Sequence, residues 1–261
     1  GSRRAATSLD KIRARHREVA AAVRRPFEPL LEHARSMSPT RGFRAALAGR
    51  DRLAGIAEIK RRSPAPGDLN IGLDPASLAM TYERGGAACM SVLTDVEFFG
   101  GSVDDLQAAR AACSLPVIRK DFTVTERDVV DARIMGADCV LLIAAALEPT
   151  ELASMHALAT DVGLDVLVEI HDERELEHAL AADATLIGVN QRDLVTFEVD
   201  HERAVRMAAA IPDHAVKVAE SGVRGRHDAQ ALRSAGYDAV LVGETIVTSH
   251  DPAAVISELI G

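Results

Sequence analysis

The sequence is poor in the residues that would signal a disulfide framework, a metal centre or a polyanionic partner. Only three cysteines occur in 261 residues, Cys89, Cys113 and Cys139. None stands in a CxxC or other zinc spacing. Cys89 and Cys139 fall in or beside apolar runs and read as core residues. A reducing, cytoplasmic setting is the expectation for such a chain. The nine histidines show no metal-ligand spacing either. There is no basic excess: Lys+Arg number 30 against Asp+Glu 39, a formal net charge of -9. A broad field for nucleic acid is therefore absent, although a small anion needs only a few local cations. No apolar run reaches the roughly 18 residues of a membrane span, and no secretory signal is visible. No GxGxxG turn follows the first strand, and no Ser-His-Asp grouping is evident. What is abundant is apolar side chain, 48%, enough for one large domain.

Residues 8–25 have helical spacing, with Leu9, Ile12, His16, Val19 and Val23 on one face. Pro26 ends that helix, and residues 29–36 and about 40–48 suggest two shorter ones. Residues 1–50 thus form a helical extension ahead of a repeating part, residues 51–261, within one structural domain. The repeat alternates Ala/Leu/Glu-rich helical stretches with eight apolar strands: Ile56–Lys60, Cys89–Leu93, Val117–Lys120, Cys139–Ile143, Val166–Glu169, Leu186–Asn190, Val216–Glu220 and Ala239–Val242. Near-continuous apolar strands suit a parallel sheet covered on both faces. GGAACMSVLT, MGADCVLLI, AADATLIGV and AGYDAVLVG lead into the even strands, while the odd strands have a different lead-in. In a closed barrel, alternate strands supply each interior layer. The expected fold is α/β, a (β/α)8 barrel with an N-terminal helical extension. A doubly wound open sheet is the competitor.

Polar residues close the otherwise apolar strands: Lys60, Lys120 with Asp121, Glu169, Asn190, and Glu220 with Ser221. Glu58 and Lys60 are two apart and point the same way. Barrel enzymes carry their chemistry at these C-terminal ends. Two lysines and three glutamates on one rim can shift one another's proton affinity. After strand seven comes Ser221-Gly222, and Gly243 closes strand eight before Glu244. Glycine lets a backbone approach an anion, and barrels often bind phosphate at these two loops. His171 is read as a loop histidine facing solvent. Lys217, of opposite parity to Glu220, is read as snorkelling at the closed bottom of the barrel.

The runs IAEIKRRSPAPG, SVLTDVEFFGGS, PVIRKDF, GADCVLLIAAAL, LVEIHDE, IGVNQRDLVTFEVD, VAESGV and VLVGE resemble indole-3-glycerol phosphate synthase. The resemblance runs from the extension to the last helix. It implies a carboxy-lyase of tryptophan biosynthesis acting on 1-(2-carboxyphenylamino)-1-deoxyribulose 5-phosphate, with no metal and no organic cofactor. It also implies roles. Lys120 would protonate the ribulose keto oxygen during ring closure, and Glu169 would move protons in dehydration. Lys60 would hold the substrate carboxylate and share the acid role. Glu58 would orient the lysines, Asn190 would orient substrate, and Glu220 would assist beside Ser221. Ser63, Phe99, Phe122, Leu141, Arg192, Leu194 and Phe197 would contact substrate. Ser221, Gly222, Gly243 and the Glu244 backbone would hold its phosphate. The N-terminal helices would pack near the barrel mouth. The expected working unit is a monomer, with a weak dimer as the alternative, and no nucleic acid or membrane as partner.

Two departures stand out. Relatives often read SPSKG where this chain has Ser63-Pro64-Ala65-Pro66-Gly67, so the first loop loses a cation and gains a stiff residue. Relatives often carry a small hydroxyl residue at the position of Glu244. An isomerase-like barrel acting on phosphoribosylanthranilate fits poorly with the extension and the two strand-one charges. A non-catalytic phosphosugar-binding barrel could lose Lys60, Lys120 or Glu169, yet all three are present.

Overall fold

A computed structural model describes residues 8–22, 26–193 and 198–261. Eight parallel strands close into a barrel: β1 Ala54–Ile59, β2 Cys89–Leu93, β3 Val117–Lys120, β4 Cys139–Ile143, β5 Asp165–Ile170, β6 Leu186–Asn190, β7 Val216–Glu220 and β8 Ala239–Val242. β1 pairs with both β2 and β8, which removes every open edge. The (β/α)8 expectation is met and the open sheet is excluded. Lys60 falls just beyond β1 rather than within it.

The extension holds α1 Ser8–Ala22, α2 Phe27–Ser36 and α3 Phe43–Leu47; α4 Pro75–Arg84 follows β1. After each later strand come α5 Val103–Ala111, α6 Glu126–Met135, α7 Pro149–Asp161, α8 Glu173–Ala181, α9 His201–Ala210 and α10 Arg226–Ala235. α11 Glu244–Val247 and α12 Pro252–Ile260 finish the chain. Local chemistry sets where many of these helices begin. Ser102, Thr125, Asp172, Asp200 and Asp251 each accept a backbone N–H of the first turn, satisfying a donor the helix cannot.

The sequence repeat has a structural cause. The residue that leaves the helix before each even strand is left-handed: Gly86 (φ 93°), Gly136 (φ 107°), Asp183 (φ 65°) and Gly236 (φ 111°). Two residues after Gly136 and Gly236, an aspartate ties the coming strand to its predecessor. Asp138 accepts Val117 N–H at 2.8 Å, and Asp238 accepts Lys217 N–H at 2.9 Å.

Strand parity separates two cores. Ile56, Ile118, Leu141, Leu167, Val218 and Leu241 fill the barrel interior. Ala57, Val117, Val140, Val168, Ala219 and Val240 face the helical layer. One step of two beyond the interior set lie Glu58, Lys120, Glu169, Glu220 and Gly243. The polar rim is thus the upward continuation of the interior face.

The extension divides its work. Phe43 and Leu47 of α3 join the interior core beside Ala54, Cys89 and Cys139, so α3 plugs the bottom rather than packing at the mouth. α2 packs on α6. Only α1 reaches the mouth, where Ser8, Leu9 and Ile12 line the cavity. Its expected apolar face is only partly realised. His16 hydrogen-bonds Asp95 at 2.7 Å, and Val19 is 49% exposed, while Val23 lies outside the described residues. Lys217 points outward, as its parity requires, and its amine donates to Ala208 O at 2.9 Å in the helical layer. From the N-terminal end of its strand the amine also comes within 3.7 Å of the exposed Asp213, in keeping with snorkelling at the bottom of the barrel. Burial pushes the Cys89 and Cys139 thiols above their usual range, consistent with inert core cysteines. Among the described residues no helix is long and apolar enough to cross a membrane.

Candidate active site

The strand ends open into a cavity of about 920 Å³. Its wall includes Glu58, Lys60, Ser63, Phe99, Lys120, Phe122, Leu141, Glu169, Asn190 and Arg192. Ser221, Gly222, Gly243 and Glu244 line the same space. Leu194 and Phe197 lie outside the described residues. Every other residue expected at the site is therefore in one cavity.

Glu58 is the hub. Its Oε1 stands 3.4 Å from Lys60 Nζ and its Oε2 3.4 Å from Lys120 Nζ. Ser91, on the neighbouring strand, donates to Oε2 at 2.8 Å. Burial favours the neutral acid, but the two lysines and Ser91 outweigh it and hold Glu58 below the usual carboxylate range. Burial likewise opposes a charge on Lys120. Glu58, Glu220 and Glu169 together outweigh that and raise its amine above the ordinary lysine range. Lys120 is thus a charged amine at neutral pH.

Glu220 is different. It is buried, no N–H or hydroxyl among the described residues donates to its oxygens, and Lys120 Nζ is 3.8 Å from Oε1. Burial, then the charge of nearby Glu169, pushes its carboxyl well above the usual range. Space for it is made by a glycine: a Cβ on Gly188 would lie 2.6 Å from Glu220 Oε2. Folding therefore retains a proton that the unfolded chain releases once pH passes the ordinary glutamate value, roughly 4.3. Stability from this group is lost as pH rises above that point. Glu220→Gln should consequently melt higher than the parent at pH 8, differ little near pH 4, and turn over roughly tenfold or more slower. An equal melting difference at both pH values would refute this account.

At the far end of the cavity, Ser221 and Gly222 both adopt left-handed backbone, φ 67° and 70°. Such a conformation is uncommon for serine and is held by its surroundings. Gln191 supplies the hold: its side-chain N–H donates to Ser221 O at 2.9 Å, and its Oε1 pairs with His201 Nδ1 at 2.7 Å. A Cβ on Gly222 would be 2.5 Å from Val199 Cγ1, so glycine is required there for space as well as for φ. A Cβ on Gly243 would lie 2.9 Å from Glu58 Oε1 and 3.5 Å from Lys60 Nζ. Glu58 and Lys60 therefore both abut the strand-eight loop. Arg224 also lines this end.

The apolar wall holds Phe99 and Phe122, ring centroids 6.1 Å apart. Asn190 Oδ1 accepts Arg192 N–H at 2.9 Å, so the amide is oriented by its own loop. The Ser63 hydroxyl is buried without a hydrogen-bond partner.

Several contributors escaped the sequence reading. Ser91, Gln191 and Gly188 carry no charge that would mark them. His171 is not solvent-facing: it is buried, with Nδ1 on Glu175 at 3.0 Å. His16, Asp95 and Asp121 converge where α1 meets the rim. Their polar atoms are already engaged: Asp95 accepts Phe98 and Phe99 N–H and pairs with His16, while Asp121 accepts the Thr94 hydroxyl and Phe122 N–H.

The family model for indole-3-glycerol phosphate synthase matches residues 9–259. The chain belongs to the indole-3-glycerol phosphate synthase family. It is 50% identical to indole-3-glycerol phosphate synthase 1 of Streptomyces coelicolor over 252 residues, 97% of this chain and 93% of that protein. It is 44% identical to the indole-3-glycerol phosphate synthase of a Polaromonas species over 258 residues, 97% of this chain and 98% of the relative. Among solved structures, a thiamine phosphate pyrophosphorylase from Pyrococcus furiosus superposes with a TM-score of 0.58 at 13% identity. It covers 79% of this chain and 93% of its own. That likeness is one of fold alone.

Proposed function

We infer that this chain closes the indole ring in tryptophan biosynthesis. It converts 1-(2-carboxyphenylamino)-1-deoxyribulose 5-phosphate to indole-3-glycerol phosphate, releasing carbon dioxide and water. The observation that carries the residue-level reading is the Glu58 hub: one buried carboxylate paired with Lys60 and Lys120, in a cavity also lined by the Ser221–Gly222 and Gly243 turns.

Ring closure needs an aromatic carbon to attack the ribulose keto carbon, leaving negative charge on the keto oxygen. Lys120 is the acid for that oxygen. An alkoxide is a far stronger base than an amine, so a lysine kept charged by its carboxylates still gives up its proton. Lys60 holds the substrate carboxylate and, from its place near Gly243, links that end of the substrate to the phosphate end. Glu58 orients both amines and stabilises positive charge developing on the anilino nitrogen. Once the carboxylate has left as carbon dioxide, Glu169 moves the protons of dehydration, assisted by Glu220. Asn190 and Arg192 orient substrate groups. Ser63, Phe99, Phe122, Leu141, Leu194 and Phe197 enclose the substrate. Ser221, Gly222, Gly243 and the Glu244 N–H hold the phosphate, with the Glu244 carboxylate turned away from it. The cytoplasm is the proposed setting, supported by three unpaired cysteines. A single chain is the proposed working unit, supported by a cavity that the described site residues of one chain line together.

The test is the fluorescence of the indole product formed from the carboxyphenylamino substrate, with EDTA present. The parent should turn over, and Gly222→Ala should raise KM about tenfold or more through lost phosphate hydrogen bonds. A folded parent that binds substrate without turnover would favour a phosphosugar-binding barrel instead.

A further inference from the structure

His171 is a buried titratable group for which the proposed reaction gives no use. It directly follows β5, two residues after Glu169, and does not line the cavity. Its backbone N–H and its Nδ1 both meet Glu175 Oε1, at 2.9 and 3.0 Å. Glu175 is itself fixed, with its N–H on the α8 cap residue Asp172 at 2.8 Å. The ring therefore cannot turn without breaking its bond to Glu175. Its other nitrogen, Nε2, is buried and makes no hydrogen bond. The charged atom facing it is Glu169 Oε2, at 3.9 Å.

This geometry constrains the proton. Nδ1 faces a carboxylate and so carries hydrogen. A neutral ring would then turn the Nε2 lone pair toward Glu169, lone pair against anion. A charged ring offers N–H to both carboxylates. The groups facing the ring from adjacent elements are Glu169 on β5, Glu175 on α8 and Arg203 on α9. Arg203 opposes the ring's charge and is 3.7 Å from Asp193. Burial also opposes that charge, but the two glutamates prevail and His171 is raised above the ordinary histidine range.

We propose that His171 is a positioning residue for Glu169: anchored by Glu175, its ring faces Glu169 Oε2 at 3.9 Å and holds that carboxylate in place by charge attraction. The consequence concerns the neighbouring pair. Glu220 is a buried carboxyl whose proton affinity nearby Glu169 helps to raise. Lys120, 3.8 Å from Glu220, would by itself favour charge on Glu220. His171 places its ring beside Glu169 instead. The inference rests on the role given to Glu169 above.

The test pairs kinetics with proton titration on the full chain. In His171→Asn, and separately in Glu175→Gln, the acid limb of the kcat profile should move up by about one pH unit. Turnover on that limb would fall about tenfold, with KM within about threefold. By NMR, the His171 ring should titrate above an ordinary histidine in the parent and at lower pH in Glu169→Gln. Profiles that keep the parent's shape in both variants, beside an inactive Glu169→Gln, would overturn the proposal while leaving Glu169 its role. So would a His171 titration indifferent to Glu169→Gln. A fully active Glu169→Gln would instead overturn the role of Glu169, and the catalytic value of His171 with it.

Discussion

Lys120→Ala is expected to lower kcat by roughly 10²–10⁴ while leaving the chain folded. The amine ends β3 on the interior face and meets carboxylates from two other strands, Glu58 at 3.4 Å and Glu220 at 3.8 Å. Lys60 cannot stand in for it. Lys60 is held on the other oxygen of Glu58, beside Gly243, and reaching the Lys120 position would vacate the strand-eight side of the site. Folding survives because Glu58 keeps Lys60 and Ser91 as partners, so the buried carboxylate is not orphaned. The loss should appear in kcat more than in KM, since the proton is given only as charge develops on the keto oxygen. Product fluorescence under saturating substrate, beside a thermal melt, measures both parts. Turnover within about threefold of the parent would remove Lys120 from the acid role.

The second large effect is on stability and lies at the other end of the barrel. Asp138→Ala should cost roughly 3–5 kcal/mol, the usual penalty for removing one partner of a buried charge pair. The carboxylate is fully buried. Arg110 approaches it with two nitrogens, Nε at 3.1 Å and Nη2 at 2.9 Å. Two backbone N–H groups join them, Val117 at 2.8 Å from β3 and Arg41 at 2.8 Å from the extension. One side chain thus ties β3, α5 and the segment before α3 together. Alanine would strand the Arg110 guanidinium and two backbone donors. For a chain of this size the melting temperature should fall by roughly 6–15 °C. Asp138→Asn should also destabilise, because its amide N–H₂ would face donors. Activity measured well below the melt should stay near the parent's, since Asp138 lies at the start of β4, away from the C-terminal rim. A melting shift under about 2 °C would show that Asp138 is not the tie described here.

Much of this architecture was legible before folding because it is local. The period of two along each strand placed Glu58 with Lys60 on one face, and put Lys120, Glu169 and Glu220 one step above interior residues. Apolar runs set six of the eight strands at their observed bounds; β1 and β5 differ by one or two residues at their ends. The glycine–aspartate lead-ins of MGADCVLLI and AGYDAVLVG marked real turns, because left-handed backbone and a carboxylate tie are short-range needs. Family membership likewise rests on motifs readable in order.

Other features depend on which residues the closed barrel brings together. Nothing within a few residues of Glu58 says that Ser91 and Lys120, 33 and 62 positions away, will share its Oε2. His16 reads as one more residue on an apolar helix face until α1 crosses the rim and meets Asp95, 79 positions on. α3 looks like a second mouth helix until its Phe43 and Leu47 fill the bottom of the barrel. His171 is a loop histidine by sequence, yet it is buried, with Glu175 on its Nδ1 and Glu169 3.9 Å from its Nε2. Gly188 looks like a weak point in β6 until Glu220 occupies the space its missing side chain leaves. Backbone conformation and strand face follow from neighbours in the chain, so the sequence by itself determined the fold and the identity of the rim. Proton affinity and pairing follow from burial and from distances across the barrel, so which carboxylate holds a proton and which lysine holds which oxygen was decided only when the strands closed.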